Sequence, residues 1–478
     1  MKLQRILAAI FTLSLISACS SSSNSGSTVP PTNPIEPAAV AKVQVVHASS
    51  NAPAVNITAG GAIVFDNLDY KESRVPISLD EGTTVDLTVD AILPDGTTAT
   101  VLDLPGQTFE GDTIYTVFAI GNVGDAGATA LQTAAVTRSA FFVPSDTIRA
   151  TVIHAAAGAP DVDIYVSGPS DDINMLMPIN EMTPVAFTDS LGPLDLTEGD
   201  YRIRVTPAGE KAPIVFDSGS LTLTGGIDPI IAAVDNTNAG SESPISVLLI
   251  DRLGLTEVQD QTTGADLRVT HAVPDVGEPV DVLVDGAVTV PDFDFTDSAG
   301  PLTLDAGSYV FQVGLNGQVV INPPTVDGDG AEVPPASTTL TAGGYFDAIA
   351  VGSVTLDNLG LLAEADDRRR VATAGKLRVI HGSPNTDLVD LYIVDSTITD
   401  ITAVDAFATD IPYLFNSGYL EVAPGSYNIY ITPAGTKDKA ISAEGIGLDA
   451  GGIYTAIARD PIAPDTALGL ILLDDFAP

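Results

Sequence analysis

The 478-residue sequence contains one cysteine, four histidines and no tryptophan, and it has 20 Lys and Arg against 62 Asp and Glu. A single cysteine excludes an intramolecular disulfide and a metal cluster built from several cysteines of the chain. Four histidines are too few for a histidine-rich metal store. The net charge of −42 argues against nucleic acid or an anionic membrane surface as a partner, because both would repel the protein.

What the chain does have is apolar surface and turns. Hydrophobic residues make up 45% of the sequence, which is enough for folded cores, and the length predicts about three or four domains. The 43 glycines and 33 prolines separate short runs that are rich in Val, Ile, Thr and Tyr. Runs of about four to eight such residues are typical of strands, so we predict an all-β protein.

The N-terminus carries the features of a secretion signal. Lys2 and Arg5 precede a mostly apolar run at 6–18, which is shorter than the roughly 20 residues that a membrane-spanning helix needs. The end of this run, Leu-Ile-Ser-Ala-Cys at 15–19, resembles the lipobox of bacterial lipoproteins. The resemblance implies removal of residues 1–18 and acylation of Cys19, whose lipid would anchor the chain in a bilayer. A simple secretory signal is the alternative.

Residues 19–40 are predicted to be a lipidated, disordered tether. Ser, Pro, Asn and Gly dominate this segment, which cannot bury enough surface to fold. A coil of about 20 residues reaches roughly 25 Å. Because Ser20 rather than Asp follows the cysteine, the lipoprotein resemblance implies sorting to the outer membrane, on its periplasmic or its surface-exposed side. The chain without residues 1–18 keeps 18 basic and 62 acidic residues, a net charge of −44.

Four segments of the chain repeat one pattern, and each ends its first Val-rich run on a histidine. The histidines are His47, His154, His271 and His381. Their separations of 107, 117 and 110 residues set a unit of about 110 residues. A unit of this length with short strands and no long helix predicts an antiparallel, immunoglobulin-like β-sandwich, with a closed barrel as the alternative.

The predicted β-sandwich repeats lie at 41–143, 147–253, 265–363 and 375–478. Linkers are expected near 144–146, 254–264 and 364–374. The last linker contains three consecutive arginines at 368–370. We interpret them as solvated side chains of an acidic protein, and a protease-sensitive or docking site is the alternative.

The order of motifs resembles the bacterial family catalogued as domain of unknown function 4397. The motifs are V-x-H-A, a short turn, V-D-[IV]-Y-[VI], A-G-[ST]-Y and a closing T-x-x-A-x-G. The resemblance covers nearly the whole chain after residue 40 in four tandem copies. It implies an immunoglobulin-like sandwich and secretion or surface display, and it supplies no activity. The first unit departs most, with Asn56 for the aspartate and Thr84 for the tyrosine.

The repeat histidines are predicted to be structural. Because strand residues alternate, His47 shares the apolar, inward face with Val43 and Val45, and Gln44 lies on the opposite face. A buried imidazole needs hydrogen-bond partners, since each unsatisfied group costs about 1–3 kcal/mol. We expect either a carbonyl of the following turn or an aspartate nine or ten residues later. These aspartates are Asp163, Asp281 and Asp390.

Three tyrosines follow a glycine at a strand start in the later units. They are Tyr201, Tyr309 and Tyr427. Their position resembles the corner tyrosine of β-sandwiches, whose hydroxyl ties down a loop. Stacking on a ligand is the alternative.

These observations predict a non-enzymatic structural, adhesive or binding scaffold without a cofactor or metal, with a protein or glycan ligand at the domain loops. An envelope hydrolase is the first alternative, but serines follow the histidine only in units one and four, at Ser49 and Ser383, and no G-x-S-x-G occurs. A calcium-assisted carbohydrate-binding adhesin is the second, and both would use the loops after the repeat histidines. The acidic loops at 291–297 and 326–332 offer oxygens to hard cations, but we interpret them as solvated turns. The lack of tryptophan leaves few stacking platforms for sugars.

Overall fold

A computed structural model describes residues 39–181, 183–322, 325–326, 332–461 and 467–476, with the backbone alone at 325–326 and 332–333. The predicted signal peptide, Cys19 and nearly all of the tether lie outside these residues, as does most of the acidic loop at 326–332. The described part consists of strands, turns and two short 3-10 helices, so the all-β prediction is confirmed. None of its helices is long and apolar enough to cross a membrane.

The first two repeats contain strands β1–β17. Repeat 1 has β1 (Val40–His47), β2 (Val55–Ala59), β3 (Ala62–Leu68), β4 (Ile77–Asp80), β5 (Thr84–Ile92), β6 (Thr98–Thr108), β7 (Thr113–Ile120), the 3-10 helix Gly127–Thr129 and β8 (Gln132–Ser139). Repeat 2 has β9 (Thr147–His154), β10 (Val162–Ser167), the 3-10 helix Ile173–Met175, β11 (Ser190–Thr197), β12 (Gly199–Pro207), β13 (Phe216–Asp217), β14 (Leu221–Leu223), β15 (Ile230–Asp235), β16 (Ile245–Ile250) and β17 (Leu255–Val258).

The last two repeats contain strands β18–β37. Repeat 3 has β18 (Ala265–His271), β19 (Val280–Val284), β20 (Ala287–Phe293), β21 (Ser298–Leu304), β22 (Gly307–Tyr309), β23 (Phe311–Leu315), β24 (Gln318–Ile321), β25 (Thr325–Val326), β26 (Glu332–Val333), β27 (Thr338–Leu340), β28 (Tyr345–Val351) and β29 (Gly360–Asp366). Repeat 4 has β30 (Gly375–His381), β31 (Val389–Asp395), β32 (Ala408–Ile411), β33 (Leu420–Val422), β34 (Gly425–Pro433), β35 (Ile441–Leu448), β36 (Ile453–Arg459) and β37 (Gly469–Asp474).

Each repeat is a sandwich of two sheets, and its histidine lies on a central strand of the first sheet. The first sheets have the orders β4-β1-β7-β8, β11-β9-β15-β16-β17, β21-β18-β28-β29 and β33-β30-β36-β37. The second sheets are β3-β2-β5-β6, β10-β12-β13 with β14 on β12, β20-β19-β23-β24 and β32-β31-β34-β35. The histidine strand is parallel to one neighbour in every first sheet (β7, β15, β28 or β36), while the other pairings within the sandwiches are antiparallel.

The core of each repeat lies between its two sheets. In repeat 2, for example, Ile148 and Val152 of β9 pack with Ile164 of β10 and Val205 of β12. The alternation of apolar side chains along each strand directs one face of each sheet toward this layer. All four residues are buried.

The first sheets are also covered on their outer faces, because the repeats pack in pairs. One apolar cluster joins Val46 and Phe118 of repeat 1 to Ile153, Ile230 and Leu248 of repeat 2. A second cluster joins repeats 3 and 4 in the same way. Its members are Ala272, Ile349, Val351, Ile380, Ile457, Ile471 and Leu473. We call repeats 1 and 2 the first block, and repeats 3 and 4 the second block.

Two strands lie where linkers were predicted. Strand β17 falls inside the predicted linker 254–264 and adds a fifth strand to the first sheet of repeat 2. Strand β29 runs to Asp366 and so takes up the start of the predicted linker 364–374. Both segments are edge strands, whose pairing with a neighbour leaves little signal in the local sequence.

Candidate functional site

The His47 imidazole is buried and bonded to the backbone of the turn that follows β1. Its Nε2 lies 3.0 Å from the carbonyl oxygen of Pro53, and the Ser49 amide donates to Nδ1 over 3.4 Å. These partners define a neutral ring with its proton on Nε2, which donates to the carbonyl. Burial lowers the pKa of His47, which keeps the ring neutral.

The other three histidines occupy equivalent buried positions. Nε2 lies 3.1 Å from the Pro160 carbonyl oxygen in His154 and 3.3 Å from the Asp387 carbonyl oxygen in His381, six residues after the histidine in each case. In His271 the Val273 amide donates to Nδ1 over 3.2 Å, while Nε2 has no partner among the residues that the structure describes. Burial lowers the pKa of His271 to about 4.

Sequence reasoning missed an aromatic side chain that meets each histidine ring edge-on. The pairs are His47 with Tyr70, His154 with Phe187, His271 with Phe295 and His381 with Tyr413, with ring centroids 5.8–6.3 Å apart. In every repeat the residue after this aromatic donates its amide to the histidine carbonyl over 2.8–2.9 Å. That residue has a left-handed φ of 61° to 80°, a conformation held in place by this contact. The sequence signal that could have identified this contact is an aromatic residue 23 to 33 positions after the histidine in every repeat.

Of the two expected kinds of histidine partner, the structure shows the turn carbonyl, and the aspartates bond elsewhere. Asp163 accepts from the Asn180 side chain and the Gly209 amide, each over 2.8 Å. Asp390 accepts from the amides of Asp410 and Gly435. Each carboxylate therefore bonds segments that lie beside its own strand of the second sheet, β10 or β31.

The contact made by Asp281 shows why the first unit can have Asn56 at the equivalent position. Asp281 accepts from the amide of Asp292 over 3.2 Å. Asn56 of the first unit accepts from the amide of Asn67 over 2.9 Å. An amide oxygen thus serves where the other repeats use a carboxylate, because the contact requires only a hydrogen-bond acceptor.

The three tyrosines tie down loops. The hydroxyls of Tyr201, Tyr309 and Tyr427 donate to the carbonyl oxygens of Thr197, Asp305 and Ala423 over 2.8, 2.9 and 2.7 Å. The partner carbonyl stands four residues upstream in every case, just before the strand that carries the tyrosine. This arrangement is that of a sandwich corner tyrosine, and it places each hydroxyl on backbone.

The serines near the histidines also bond elsewhere. Ser49 Oγ donates to the Gly121 carbonyl oxygen over 2.5 Å, and Ser383 Oγ bonds to the Asp460 carboxylate. The spaces beside His47 and His381 measure about 30 and 20 Å³. Such a space holds one water molecule at most. Among the described residues, no group of three or more His, Cys, Asp or Glu is placed to hold a metal ion.

The polar face of the histidine strand, opposite the imidazole, is buried between repeats. In the second block it carries an ion-pair network that joins repeats 3 and 4. The members are Arg268, Arg368, Arg378, Asp347, Asp366 and Asp474. Asp347 accepts from Arg268 Nε and Nη2 over 2.6 and 2.8 Å and also pairs with Arg378. Three cations and three carboxylates balance in charge.

The pKa values of Asp347 and Asp366 are shifted in opposite directions. Burial opposes ionisation of Asp347, but the hydrogen bonds and charges of Arg268 and Arg378 outweigh it and lower its pKa. Burial raises the pKa of Asp366 to about 6, because its nearest guanidinium nitrogens, on Arg368 and Arg378, lie farther away, at 3.4 and 3.5 Å. Asp347 is therefore the anion around which the network is built.

The first block carries a smaller polar cluster at the corresponding place. Arg138 Nη2 donates to Gln44 Oε1 over 3.1 Å and to Thr116 Oγ1 over 3.0 Å, and its Nη1 donates to the Asp228 carbonyl oxygen over 2.7 Å. All four side chains are buried. The cluster again joins the two repeats of one block.

The arginines at 368–370 are not all solvated, so that interpretation is wrong. Arg368 belongs to the buried network, and its guanidinium also stacks on the Tyr345 ring at 4.3 Å from the centroid. Arg369 contacts repeat 1, where it pairs with Asp69 at 2.5 Å and donates to the Ala52 carbonyl oxygen over 2.8 Å. Because these contacts lie between the blocks, the segment is a docking contact within the chain.

The fold and these sites define a class of protein: tandem β-sandwiches whose histidines brace the turn after the first strand and whose repeats pack in pairs. The chain belongs to the family described as "Domain of unknown function (DUF4397)", which confirms the resemblance in the sequence. The family matches at 41–165, 149–260, 265–392 and 375–478. No curated protein matches the chain.

One solved structure gives a distant likeness. It is that of a "putative cell adhesion protein" from Bacteroides fragilis NCTC 9343, with 14% sequence identity, covering 45% of this chain and 98% of that one. The TM-score is 0.12.

Proposed function

We propose that this chain is a lipid-anchored, non-enzymatic scaffold of the cell envelope, held at the outer membrane through Cys19. It presents two blocks of paired β-sandwiches, with a protein or glycan ligand at the domain loops. The lipobox-like segment and the tether support the anchor, and the family model supports the tandem β-domains.

One observation carries the non-enzymatic part of the proposal. The imidazoles, which are the residues best suited to acid–base chemistry near neutral pH, are buried in all four repeats. In three repeats Nε2 bonds to a carbonyl of the following turn, and the fourth ring accepts a backbone amide. A group engaged in this way stabilises the turn and has no room beside it for a substrate.

Replacement of His154 by alanine tests this role. The change removes the buried, packed His154 ring and its hydrogen bond to the Pro160 carbonyl oxygen, so we expect a loss of about 2–3 kcal/mol in the free energy of unfolding. For a unit of this size the melting temperature should fall by roughly 5–10 °C, as measured by calorimetry. Met175→Ala, in the same repeat but 83% exposed, is the control and should leave it unchanged.

The same variants are assayed with ester, glycoside and peptide substrates. If the protein is a scaffold, the wild type should show no hydrolytic activity that depends on His154. A His154→Ala variant that keeps the wild-type melting temperature but loses a measured hydrolytic activity would contradict the proposal.

The anchor is tested by Cys19→Ala in the full chain. Cells fed an alkyne-bearing fatty acid should incorporate the label into the wild type, because the thiol at the cleavage site accepts the lipid, and Cys19→Ala should carry none. The wild type should sediment with outer membranes and the variant should be released in soluble form. Equal labelling of both chains, or release of both, would show that Cys19 is not the anchor.

A further inference from the structure

The two blocks carry equivalent linkers between their repeats. Arg138 and Asp366 occupy the same register on β8 and β29, opposite Ile114 of β7 and Tyr345 of β28. Val143 and Val371 each follow five residues later, and both are buried. Between these landmarks the linkers align without a gap.

Two equivalent positions of the linkers carry side chains of opposite chemistry in the two blocks. The third and fourth residues after Arg138 in the first block are Phe141 and Phe142. The third and fourth residues after Asp366 in the second block are Arg369 and Arg370. In the second block this linker rests on the loops of repeat 1, through the Arg369 pair with Asp69 and a bond from the Ala372 amide to the Asn51 carbonyl oxygen. Arginine at these positions therefore suits an acidic protein surface.

The phenylalanines of the first block are exposed on a loop that the structure holds in place. Phe141 is 69% and Phe142 is 92% exposed, and the neighbouring Leu253 is 82% exposed. Arg252 donates to the Ser139, Ala140 and Phe141 carbonyl oxygens over 3.1 Å each, and it pairs with Asp228 at 2.7 Å. We call Phe141, Phe142 and Leu253 the basal patch.

The basal patch lies where the described structure joins the tether. The Ala140 amide donates to the Asp112 carbonyl oxygen over 2.8 Å, and the Asp112 amide donates to the Val40 carbonyl oxygen over 3.0 Å. Two backbone hydrogen bonds thus connect the loop to the start of β1. The second block sits at the other end of β1, because its linker contacts Asn51 and Ala52 beyond His47.

We propose that the basal patch rests on the surface of the membrane to which Cys19 is attached, with its phenylalanines at the boundary between headgroups and acyl chains. This inference rests on the proposed lipid anchor. Twenty residues of tether, with a reach of roughly 25 Å, allow the base of the first block to touch the bilayer. Exposed aromatic side chains on an ordered loop gain free energy from burial at this boundary.

The charge of the protein determines which lipids suit this contact. The chain from Cys19 onward carries a net charge of −44, which anionic headgroups repel. Zwitterionic phosphatidylethanolamine and phosphatidylcholine are therefore the expected surface. Added anionic lipid should weaken the contact at low salt.

The chain offers a direct test, because it has no tryptophan and its only thiol is at Cys19. The unlipidated chain 19–478 carrying Phe142→Trp is coupled through Cys19 to maleimide-bearing lipid in phosphatidylcholine and phosphatidylethanolamine vesicles. We expect the tryptophan emission to shift to the blue and lipids brominated on their acyl chains to quench it more than about twofold. The control is Leu356→Trp. Leu356 is 45% exposed and follows β28 at the far end of the second block, so brominated lipids should not quench the emission of this tryptophan.

Two results would overturn the inference. One is equal emission and quenching of the two tryptophans on brominated vesicles. The other is burial of the Phe142→Trp side chain that grows with protein concentration in the absence of lipid, which would assign the patch to a second copy of the chain. Because the coupling is chemical, the test gives a result even if cells do not acylate Cys19, so failure of the anchor and failure of the contact are distinguished.

Discussion

Asp347→Asn is expected to lower the free energy of unfolding of the second block by about 3–5 kcal/mol. Asp347 is buried and accepts two hydrogen bonds from Arg268 and pairs with Arg378. The substitution removes one of the three carboxylates and leaves three arginines to share Asp366 and Asp474 in an interior that solvates charge poorly. Urea unfolding at pH 7.5 measures the loss.

Asp366→Asn is the matched control in the same network. Its folded-state pKa of about 6 is above the unfolded value of about 3.9, so its contribution to stability is present below pH 3.9 and is lost as the pH rises through 6. We therefore expect the free energy of unfolding of this variant to differ from that of the wild type by less than about 1 kcal/mol near pH 3.5, and to exceed it increasingly as the pH rises through 6 to 8. Equal losses for Asp347→Asn and Asp366→Asn at pH 7.5 would show that the network is not centred on Asp347.

The pH dependence of Asp347 itself has the opposite sign. Its pKa is lowered on folding, so the stability it supplies is present above the unfolded pKa and is lost as the pH falls through the folded one. The difference between wild type and Asp347→Asn should accordingly shrink in acid.

Phe118→Ala is expected to cost about 3–5 kcal/mol and to loosen both repeats of the first block. Phe118 is fully buried, but it points to the outer face of its sheet, where it packs in the cluster with Ile230 and Leu248 of repeat 2. The cavity therefore opens between repeats rather than within one. Hydrogen exchange of β15 and β16 should quicken in this variant.

Phe109→Ala provides the comparison for this result. Phe109 is buried in the core of repeat 1 itself, beside Val43 and Leu87. The same atoms are removed, but exchange in β15 and β16 should stay close to that of the wild type. If Phe118→Ala left exchange in repeat 2 unchanged, the repeats would not share a cooperative core.

Local patterns predicted the parts of the site that depend on neighbouring residues. The alternation along Val43–His47 placed the imidazole on the inward face, and the expected turn carbonyl is Pro53. The Gly-x-Tyr pattern predicted a hydroxyl bonded to a loop, and Tyr427 donates to the Ala423 carbonyl oxygen. In each case donor and acceptor are six or fewer residues apart, so the turn alone brings them together.

Contacts between distant residues were not predictable in this way. Spacing left Asp163 as an alternative partner of the imidazole, but Asp163 bonds to Asn180 and Gly209, which are 17 and 46 residues away in the sequence. Tyr70 was not singled out, because its contact with His47 depends on the path of the chain between the two sheets. The arginines at 368–370 have the composition of a solvated linker. The pairing of repeats 3 and 4 covers Arg368, and the packing of the second block on repeat 1 covers Arg369.

The sequence by itself determined the repeated unit, the strands and the inward position of the four histidines, because side-chain alternation and turn residues act over a few neighbours. The tertiary structure decided that the repeats pair into blocks, that the polar face of the histidine strand is buried, and that Phe141 and Phe142 stay exposed whereas Arg369 is covered by repeat 1. The physical reason is that the outer face of a sheet is buried or solvated according to which other repeat covers it, and periodicity along one strand does not specify that neighbour.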